Sequence, residues 1–226
     1  MMKLNGLPNT TPSNPYTPKK YSLLVVSKLI LDQVYNDKES TQDLFNSSVK
    51  GLILTVLEGI NTTIFAYGQT SSGKTFTVRG NQSSPGIIPL ALQALFNEIT
   101  KSPHKKFTLQ VSFLELYNES INDLLDTTNQ NLDLKEDIQG IYIKNLAVRD
   151  IGSVEDAMEC LYEGDKSKKV GETLLNTQSS RSHTVFRIRI TSDDGIDVPK
   201  LAQLNIVDLA GSEGLNKTKA EGIRRR

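Results

Sequence analysis

The apolar residues of this chain recur with two different spacings, and each spacing predicts one type of element. A spacing of three or four residues predicts a helix that begins at Thr41 and ends at Gly59, a second helix over residues 87–100, and a third that Ser153 caps and that runs to Tyr162. The face of the first helix comprises Val49, Leu52, Ile53, Val56 and Leu57. Another helix is expected to start at Lys74, directly after a loop rich in Gly and Ser.

Short runs that alternate, or that are rich in β-branched and aromatic residues, predict strands. These runs cover residues 23–26, 29–34, 62–67, 107–117, 141–148, 185–190 and 201–209. The turn between the last two runs contains Asp193, Asp194 and Gly195, which is typical of a hairpin. Since helices and strands alternate in the first half, we predict an α/β fold, a mixed central sheet with helices on both faces.

Residues 1–20 differ in amino-acid composition from the rest of the chain. Four prolines stand three or four residues apart among Asn, Thr and Ser. Proline removes backbone donors and biases its neighbours away from helix, so this segment is predicted to be a disordered tail. Residues 21–226 are predicted to form one globular region.

Composition excludes several classes of protein. The 226 residues carry 26 basic and 26 acidic side chains, so no bulk positive charge is available to bind nucleic acid. The single cysteine, Cys160, cannot form an intrachain disulfide, and a reducing compartment is expected. The longest apolar stretches, such as residues 52–57, are too short to span a membrane.

One motif has a defined chemistry. The segment Gly68, Gln69, Thr70, Ser71, Ser72, Gly73, Lys74, Thr75 fits the pattern of a phosphate-binding loop. Its glycines permit close backbone approach, and successive N–H groups then form an anion nest at the start of the following helix. Lys74 supplies a charge to the phosphates and Thr75 a hydroxyl ligand to Mg²⁺. The alternative is a Gly/Ser surface turn; with a strand before it and a helix after it, we expect nucleoside triphosphate binding.

Two further segments gain meaning from this loop. Asp208-Leu209-Ala210-Gly211 ends an apolar strand, where an Asp can hold Mg²⁺ through water and a Gly N–H can reach a γ-phosphate. Residues 176–183 are rich in hydroxyls and contain Asn176 and Arg181, which suits a loop around a phosphate. Taken alone, residues 208–211 could equally form a common turn that ends a strand. Residues 176–183 taken alone are better explained as a polar connector.

Together these segments resemble the kinesin motor domain. The resemblance rests on residues 64–75, 176–183 and 207–213, which occur in the kinesin order, and on residues 117–119 and 123–125; it covers about residues 21–222. Residues 171–173 are similar to the centromere-associated class of kinesins.

The resemblance implies a P-loop NTPase fold and an ATPase coupled to microtubule binding, with ATP and Mg²⁺ as cofactors. It implies catalytic roles for Ser180, Arg181, Gly211 and Glu213, with Arg181 and Glu213 pairing when the site closes. Nucleotide contacts would come from residues 68–75, Asn176, Ser179 and Phe76, although Phe76 is equally well read as a core residue. Mg²⁺ would be held by Thr75, Ser180 and Asp208. The cytoplasm and its cytoskeleton are the implied location.

The chain also departs from the kinesin pattern. No Arg-x-Arg-Pro-like segment precedes Tyr21. The part that follows the third motif in kinesins and binds microtubules is not recognised between residue 214 and Arg226. We therefore expect a truncated motor domain with weak or no microtubule-stimulated hydrolysis. Two other functions stay open: a non-catalytic kinesin-like module that binds nucleotide or a partner, and another P-loop enzyme such as a GTPase. The GTPase reading is weakened because Asn216-Lys217 is followed by Thr218 and Lys219 rather than by x-Asp.

Simple environments are expected for several other residues. Lys144, Arg149, Lys166, Lys168 and Lys169 are predicted to be solvated surface charges, and His104 a surface residue. His183 is expected to be structural, and Cys160 a small buried hydrophobe.

Overall fold

The computed structural model describes residues 31–138, 140–175 and 181–213, with side chains left undescribed from 170 to 175. The chain divides into two units, residues 1–40 and 41–226. In the first unit, Asn36 begins a turn: its side chain accepts a hydrogen bond from the Lys38 N–H, and its own N–H donates to Glu39. Residues 31–34 form no strand, so the strand prediction is wrong there, and residues 1–30 lie outside the described part.

The second unit is built on a mixed sheet. Its strands are β1 (Thr62–Ala66), β2 (Lys106–Tyr117), β3 (Ser120–Asp123), β6 (Arg149–Ile151), β7 (His183–Asp193) and β8 (Lys200–Asp208). The strand order is β1-β8-β7-β2-β3, with β6 also paired to β2. Among these described strands, only β1 and β8 run parallel, and this pairing brings Ala66 beside Asp208. The predicted hairpin is confirmed as the antiparallel pair β7 and β8. A separate hairpin consists of β4 (Leu134–Asp137) and β5 (Gly140–Ile143).

Helices supply the rest of the core. They are α1 (Thr41–Leu44), α2 (Lys50–Leu54), α3 (Lys74–Arg79), α4 (Ile87–Thr100) and α5 (Val154–Leu175). One face of the sheet is apolar, with alternate residues of β2, β7 and β8 buried against α2, α4 and α5. The core residues of these strands are Leu109, Val111, Phe113, Phe186, Ile188, Ile190, Ala202, Leu204 and Ile206.

The first predicted helix is present but irregular. A π-helical turn at Phe45–Val49 separates α1 from α2, and a 3₁₀ turn at Thr55–Glu58 leads to Gly59, where the helical segment ends as predicted. Each change of winding rotates the positions that follow. Val49, Ile53, Val56 and Leu57 are buried, but Leu52 is 56% exposed, so its assignment to the inner face is wrong.

Other boundaries also differ from the predictions. The run at 141–148 is not one strand: β5 ends at Ile143 and β6 begins at Arg149. The run at 62–67 is a strand to Ala66, but Phe65 is 63% exposed. The helix capped by Ser153, whose hydroxyl accepts a hydrogen bond from the Asp156 N–H, continues thirteen residues beyond Tyr162, to Leu175. Within the described ranges, no helix has the length and apolarity that a membrane span needs.

Candidate functional site

A glycine-rich loop joins β1 to α3, as the sequence predicted. Gly73 precedes the helix with a φ of 92°, a left-handed conformation that a side chain disfavours. Ser71 also has a positive φ of 63°, which is uncommon outside glycine. The loop therefore holds a tight backbone path that ends at Lys74, the first residue of α3.

Lys74 points its ammonium group back into the loop. Its Nζ atom donates to the carbonyl oxygens of Gly68 and Gln69, at 2.9 and 2.8 Å. The loop therefore holds a flexible cation, the type of group that binds phosphate as a point charge.

Thr75, in the first turn of α3, contacts Asp208 at the end of β8. The Thr75 hydroxyl donates to Oδ2 of Asp208 at 2.7 Å. Asp208 is only 6% exposed, and its Oδ1 atom is buried with no hydrogen-bond partner among the described residues. A buried carboxylate oxygen without a donor is costly, whereas hard oxygen ligands are what Mg²⁺ prefers. These two residues therefore fit a magnesium ion, in keeping with their predicted role.

The third motif lies directly on the loop. The Ser212 N–H donates to the Gly68 carbonyl at 3.0 Å. Both carboxylate oxygens of Glu213 accept hydrogen bonds from Thr70, one from its N–H at 2.8 Å and one from its hydroxyl. Gly211 permits this approach, because a Cβ there would clash with the Thr70 hydroxyl and the Glu213 carboxylate. The loop thus already binds one oxyanion, supplied by its own chain.

This contact changes the acidity of Glu213. The hydrogen bond from the Thr70 hydroxyl lowers the pKa of the Glu213 carboxyl below its ordinary value. The backbone N–H groups of Glu213 and Thr70 and the charge of Lys74 act in the same direction. Because each of these interactions favours the ionised form, Glu213 lies on the loop as a carboxylate.

The second motif is described only from residue 181. Arg181 is exposed, and within the described ranges no ion pair joins it to Glu213. His183 starts β7, and its Nδ1 accepts a hydrogen bond from the Ala210 N–H at 3.1 Å, so the second and third motifs are in contact. Asn176, Ser179 and Ser180 lie outside the described residues.

Phe76 and Ser182 complete the surroundings of the loop. Phe76 is 49% exposed, which is not the environment of a core phenylalanine. Ser182, which the predicted site did not include, is 3% exposed, and its hydroxyl has no partner among the described residues. The part of the chain that the structure describes holds no cluster of three His, Cys, Asp or Glu residues suited to a metal.

Strand β1, the loop, α3 and the Asp at the end of β8 together define a P-loop NTPase fold. The comparison with protein families is more specific: residues 13–226 match the kinesin motor domain. The chain belongs to the kinesin motor domain family.

Individual relatives agree with this assignment. The chain is 44% identical over 198 residues to kinesin-like protein KIN-7K, chloroplastic, of Oryza sativa subsp. japonica, and 43% identical over 198 residues to kinesin-like protein KIN-7D, mitochondrial, of Arabidopsis thaliana. Each match covers 86% of this chain and 19% of the relative, so the chain spans about a fifth of their length. The solved structure of a fast kinesin matches with a TM-score of 0.82 and 37% identity, over 86% of this chain and 57% of that one.

Proposed function

We propose that this chain binds ATP with Mg²⁺ and hydrolyses it as part of a microtubule motor. The observation that carries the proposal is the contact of Thr75 with Asp208, whose other carboxylate oxygen is buried and unsatisfied, next to a loop in which Lys74 Nζ binds the Gly68 carbonyl. Family membership supplies the substrate class and the partner.

The loop residues 68–75 have the groups that a triphosphate needs. The Thr70 N–H binds an oxyanion in this structure, which supports an anion-binding role for the loop. In the proposal, phosphate oxygens replace the Glu213 carboxylate, and Lys74 leaves its carbonyl partners for the phosphates. Gln69, Ser71, Ser72, Gly73, Asn176 and Ser179 complete the binding set, and Phe76 borders the base.

Glu213 then becomes available for the reaction. Once phosphate displaces it from Thr70, its carboxylate is free to pair with Arg181 and to relay a proton from the attacking water. Gly211 offers its N–H to the γ-phosphate, and Ser180 orients the water. Thr75, Asp208 and Ser180 would hold magnesium, which would offset negative charge on the phosphates. Positioning and electrostatics do most of the work.

Microtubules are the proposed partner, and the cytoskeleton of the cytoplasm is the proposed place of action. The solved fast kinesin is described in terms of its interactions with microtubules. The names of the two KIN-7 relatives place those proteins in the chloroplast and the mitochondrion. The resemblance to the centromere-associated class stays a prediction.

A Lys74→Ala variant tests the site. With Mg-ATP at about 100 times its Kd, wild type should gain about 2.7 kcal/mol in its free energy of unfolding, whereas the variant should gain nothing. Urea titration with and without nucleotide measures this. Lys166→Ala removes an exposed lysine from α5 and should behave as wild type.

Further measurements separate the other functions. If wild type releases phosphate from ATP and Lys74→Ala does not, the chain is an ATPase. If wild type binds nucleotide but does not hydrolyse it, with or without microtubules, the chain is a non-catalytic module. Preference for GTP over ATP in competition would identify a GTPase. If nucleotide stabilises Lys74→Ala as strongly as wild type, the proposed site is wrong.

A further inference from the structure

Arg79 is a charged side chain that the proposed reaction does not use, yet it is held close to the site. It is the last residue of α3, the helix that begins with Lys74 and Thr75, and at about 1.5 Å per residue it lies about 7.5 Å along the helix from Lys74. Its side chain is 13% exposed. A guanidinium removed this far from water needs strong partners.

The partners of Arg79 come from three other elements. The Nη1 atom forms an ion pair with Asp165 of α5, and the Nη2 atom donates to the Thr184 hydroxyl of β7 at 3.1 Å. The guanidinium carbon also lies 5.5 Å from the centre of the Phe113 ring in β2, a cation–π distance. One side chain therefore joins α3 to both layers of the core.

Each polar partner of Arg79 belongs to an element that contains or directly precedes the second nucleotide motif. Thr184 is 2% exposed, follows His183 of the second motif, and pairs with Asp208 across β7 and β8. Asp165 lies in α5, which ends at Leu175, directly before the second motif. A shift of α3 would therefore act, through one guanidinium, on the elements that support the other two motifs.

The packing around this contact leaves little room for adjustment. Gly164, next to Asp165, lies so close to the sheet that a Cβ there would overlap the Phe113 ring. Phe113 is 1% exposed and packs edge-on against Phe186, with ring centres 5.4 Å apart. A close-packed core transmits displacement. The ion pair of Arg79 with Asp165 therefore joins α3 to a helix that is itself tightly packed on the sheet.

We propose that Arg79 is a positioning residue that fixes the phosphate-loop helix α3 against α5 through Asp165, and so couples nucleotide binding to the helix that leads into the second motif. This inference rests on the proposed function for its nucleotide arm. Lysine cannot replace arginine fully here, because a point charge cannot bind Asp165 and Thr184 at once in the same fork geometry.

A double-mutant cycle tests the coupling in the full 226-residue chain. Mg-ADP with a fluorescent ribose label is titrated into wild type, Arg79→Gln, Asp165→Asn and the double variant. Each single variant should weaken the affinity about tenfold, and the double variant should be no weaker than either single one. Arg79→Lys should give an intermediate affinity, and it replaces Arg79→Gln if circular dichroism shows that variant to be unfolded.

Amide hydrogen exchange without nucleotide provides a second readout. Asp165→Asn, a change in α5, should speed exchange in α3 and the loop, and Arg79→Gln, a change in α3, should speed exchange in α5. Arg149→Gln is the matched control, since it removes the ion pair of Arg149 with Glu163, also on α5, without touching α3. It should leave both the affinity and the exchange of α3 unchanged.

Three results would overturn the proposal. They are additive losses in the double variant, lower stability with an unchanged affinity, and accelerated exchange confined to the element that carries the substitution. If wild type binds no labelled nucleotide, the proposed function fails, and the reciprocal exchange measurements still decide whether Arg79 joins α3 to α5.

Discussion

At the scale of single residues, Glu213 shows how a site can hold its own ligand. Its carboxylate accepts two hydrogen bonds from Thr70, and the hydroxyl bond is the main cause of its lowered pKa. A carboxyl whose pKa is lowered by folding adds stability above its unfolded pKa, about 4.3 for Glu, and loses this contribution as the pH falls through the folded value.

This sign gives a prediction for Glu213→Gln. Glutamine resembles the protonated acid, so the variant should be less stable than wild type near pH 7, and the difference should shrink toward zero as the pH is lowered from about 5. Urea unfolding at a series of pH values measures the difference. A gap that is constant down to pH 3 would show that the charge of Glu213 contributes nothing.

Residue environments were predicted unevenly from the sequence. Cys160, at 3% exposed, confirms the prediction of a buried hydrophobe, and burial raises the pKa of its thiol. Lys168 contradicts the prediction of a solvated charge: its side chain is 11% exposed and lies 3.8 Å from buried Glu115. Nothing near Lys168 in the sequence indicates this, because its partner belongs to β2. Arg79 escaped notice for the same reason, since Asp165 and Thr184 are 86 and 105 residues away.

Cysteine chemistry checks the burial of Cys160. Because the thiol is buried and its pKa is raised, a disulfide reagent should label native protein far more slowly than protein unfolded in urea. The absorbance of the released thiolate follows the reaction. Equal rates in the two states would place Cys160 at the surface.

At the scale of elements, prediction was accurate where one period persists. Residues 87–100 were predicted as a helix and form α4 over the same residues, because Leu92 and Leu95 repeat without interruption and both are fully buried. The segment 41–58 changes its winding three times, and the two changes that precede Leu52, rather than composition, turn this side chain outward. Strand β4 was missed because all four of its residues are exposed and it has no apolar face.

Helix α5 was predicted too short because Gly164 and the charges that follow it weaken the helical pattern. Gly164 has a packing role that local propensity does not register: a Cβ would overlap Phe113 and approach Leu124. Helix propensity at position 164 is therefore not what lets α5 approach the sheet; the absence of a side chain at Gly164 is.

Gly164→Ala should therefore destabilise the protein by about 1–3 kcal/mol, because overpacking outweighs the better helix propensity of alanine. Gly51→Ala is the control, since the new Cβ in α2 meets no atom within 4 Å. That variant should gain roughly 0.5–1 kcal/mol. Urea unfolding of both variants checks the prediction, which is wrong if the two substitutions shift stability in the same direction.

At the scale of the whole molecule, the two faces of the sheet differ. One face packs against α2, α4 and α5, while the other carries polar and half-buried residues, including Arg187 and Arg189. A cavity of about 220 Å³ lies on this second face, between those arginines and Tyr142. The sequence correctly indicated a mixed sheet. It predicted helices on both faces, whereas α2, α4 and α5 of the described chain pack on the same face.

Two leucines of β8 test this difference between the faces. Leu204 is fully buried and Leu201 is 52% exposed on the opposite face. Leu204→Ala should cost about 2–5 kcal/mol, because it removes contacts and leaves a cavity, whereas Leu201→Ala should change stability by about 0.5 kcal/mol or less. Thermal or urea unfolding measures both, and equal losses would mean that the second face is packed as tightly as the first.

Asp208 is the residue at which strand pairing ends and the third motif continues as residues 209–213. Up to this residue the backbone is paired on both sides, with Ala66 and with Thr184. The described residues that follow, 209–213, are held instead by one hydrogen bond each to Ala66, His183 and Gly68 and by two to Thr70. All but the first of these bonds end on the residues that would surround a nucleotide. In the proposed reaction, loss of the γ-phosphate would let residues 209–213 move about Asp208 by breaking these hydrogen bonds alone, while no strand pairing has to be broken.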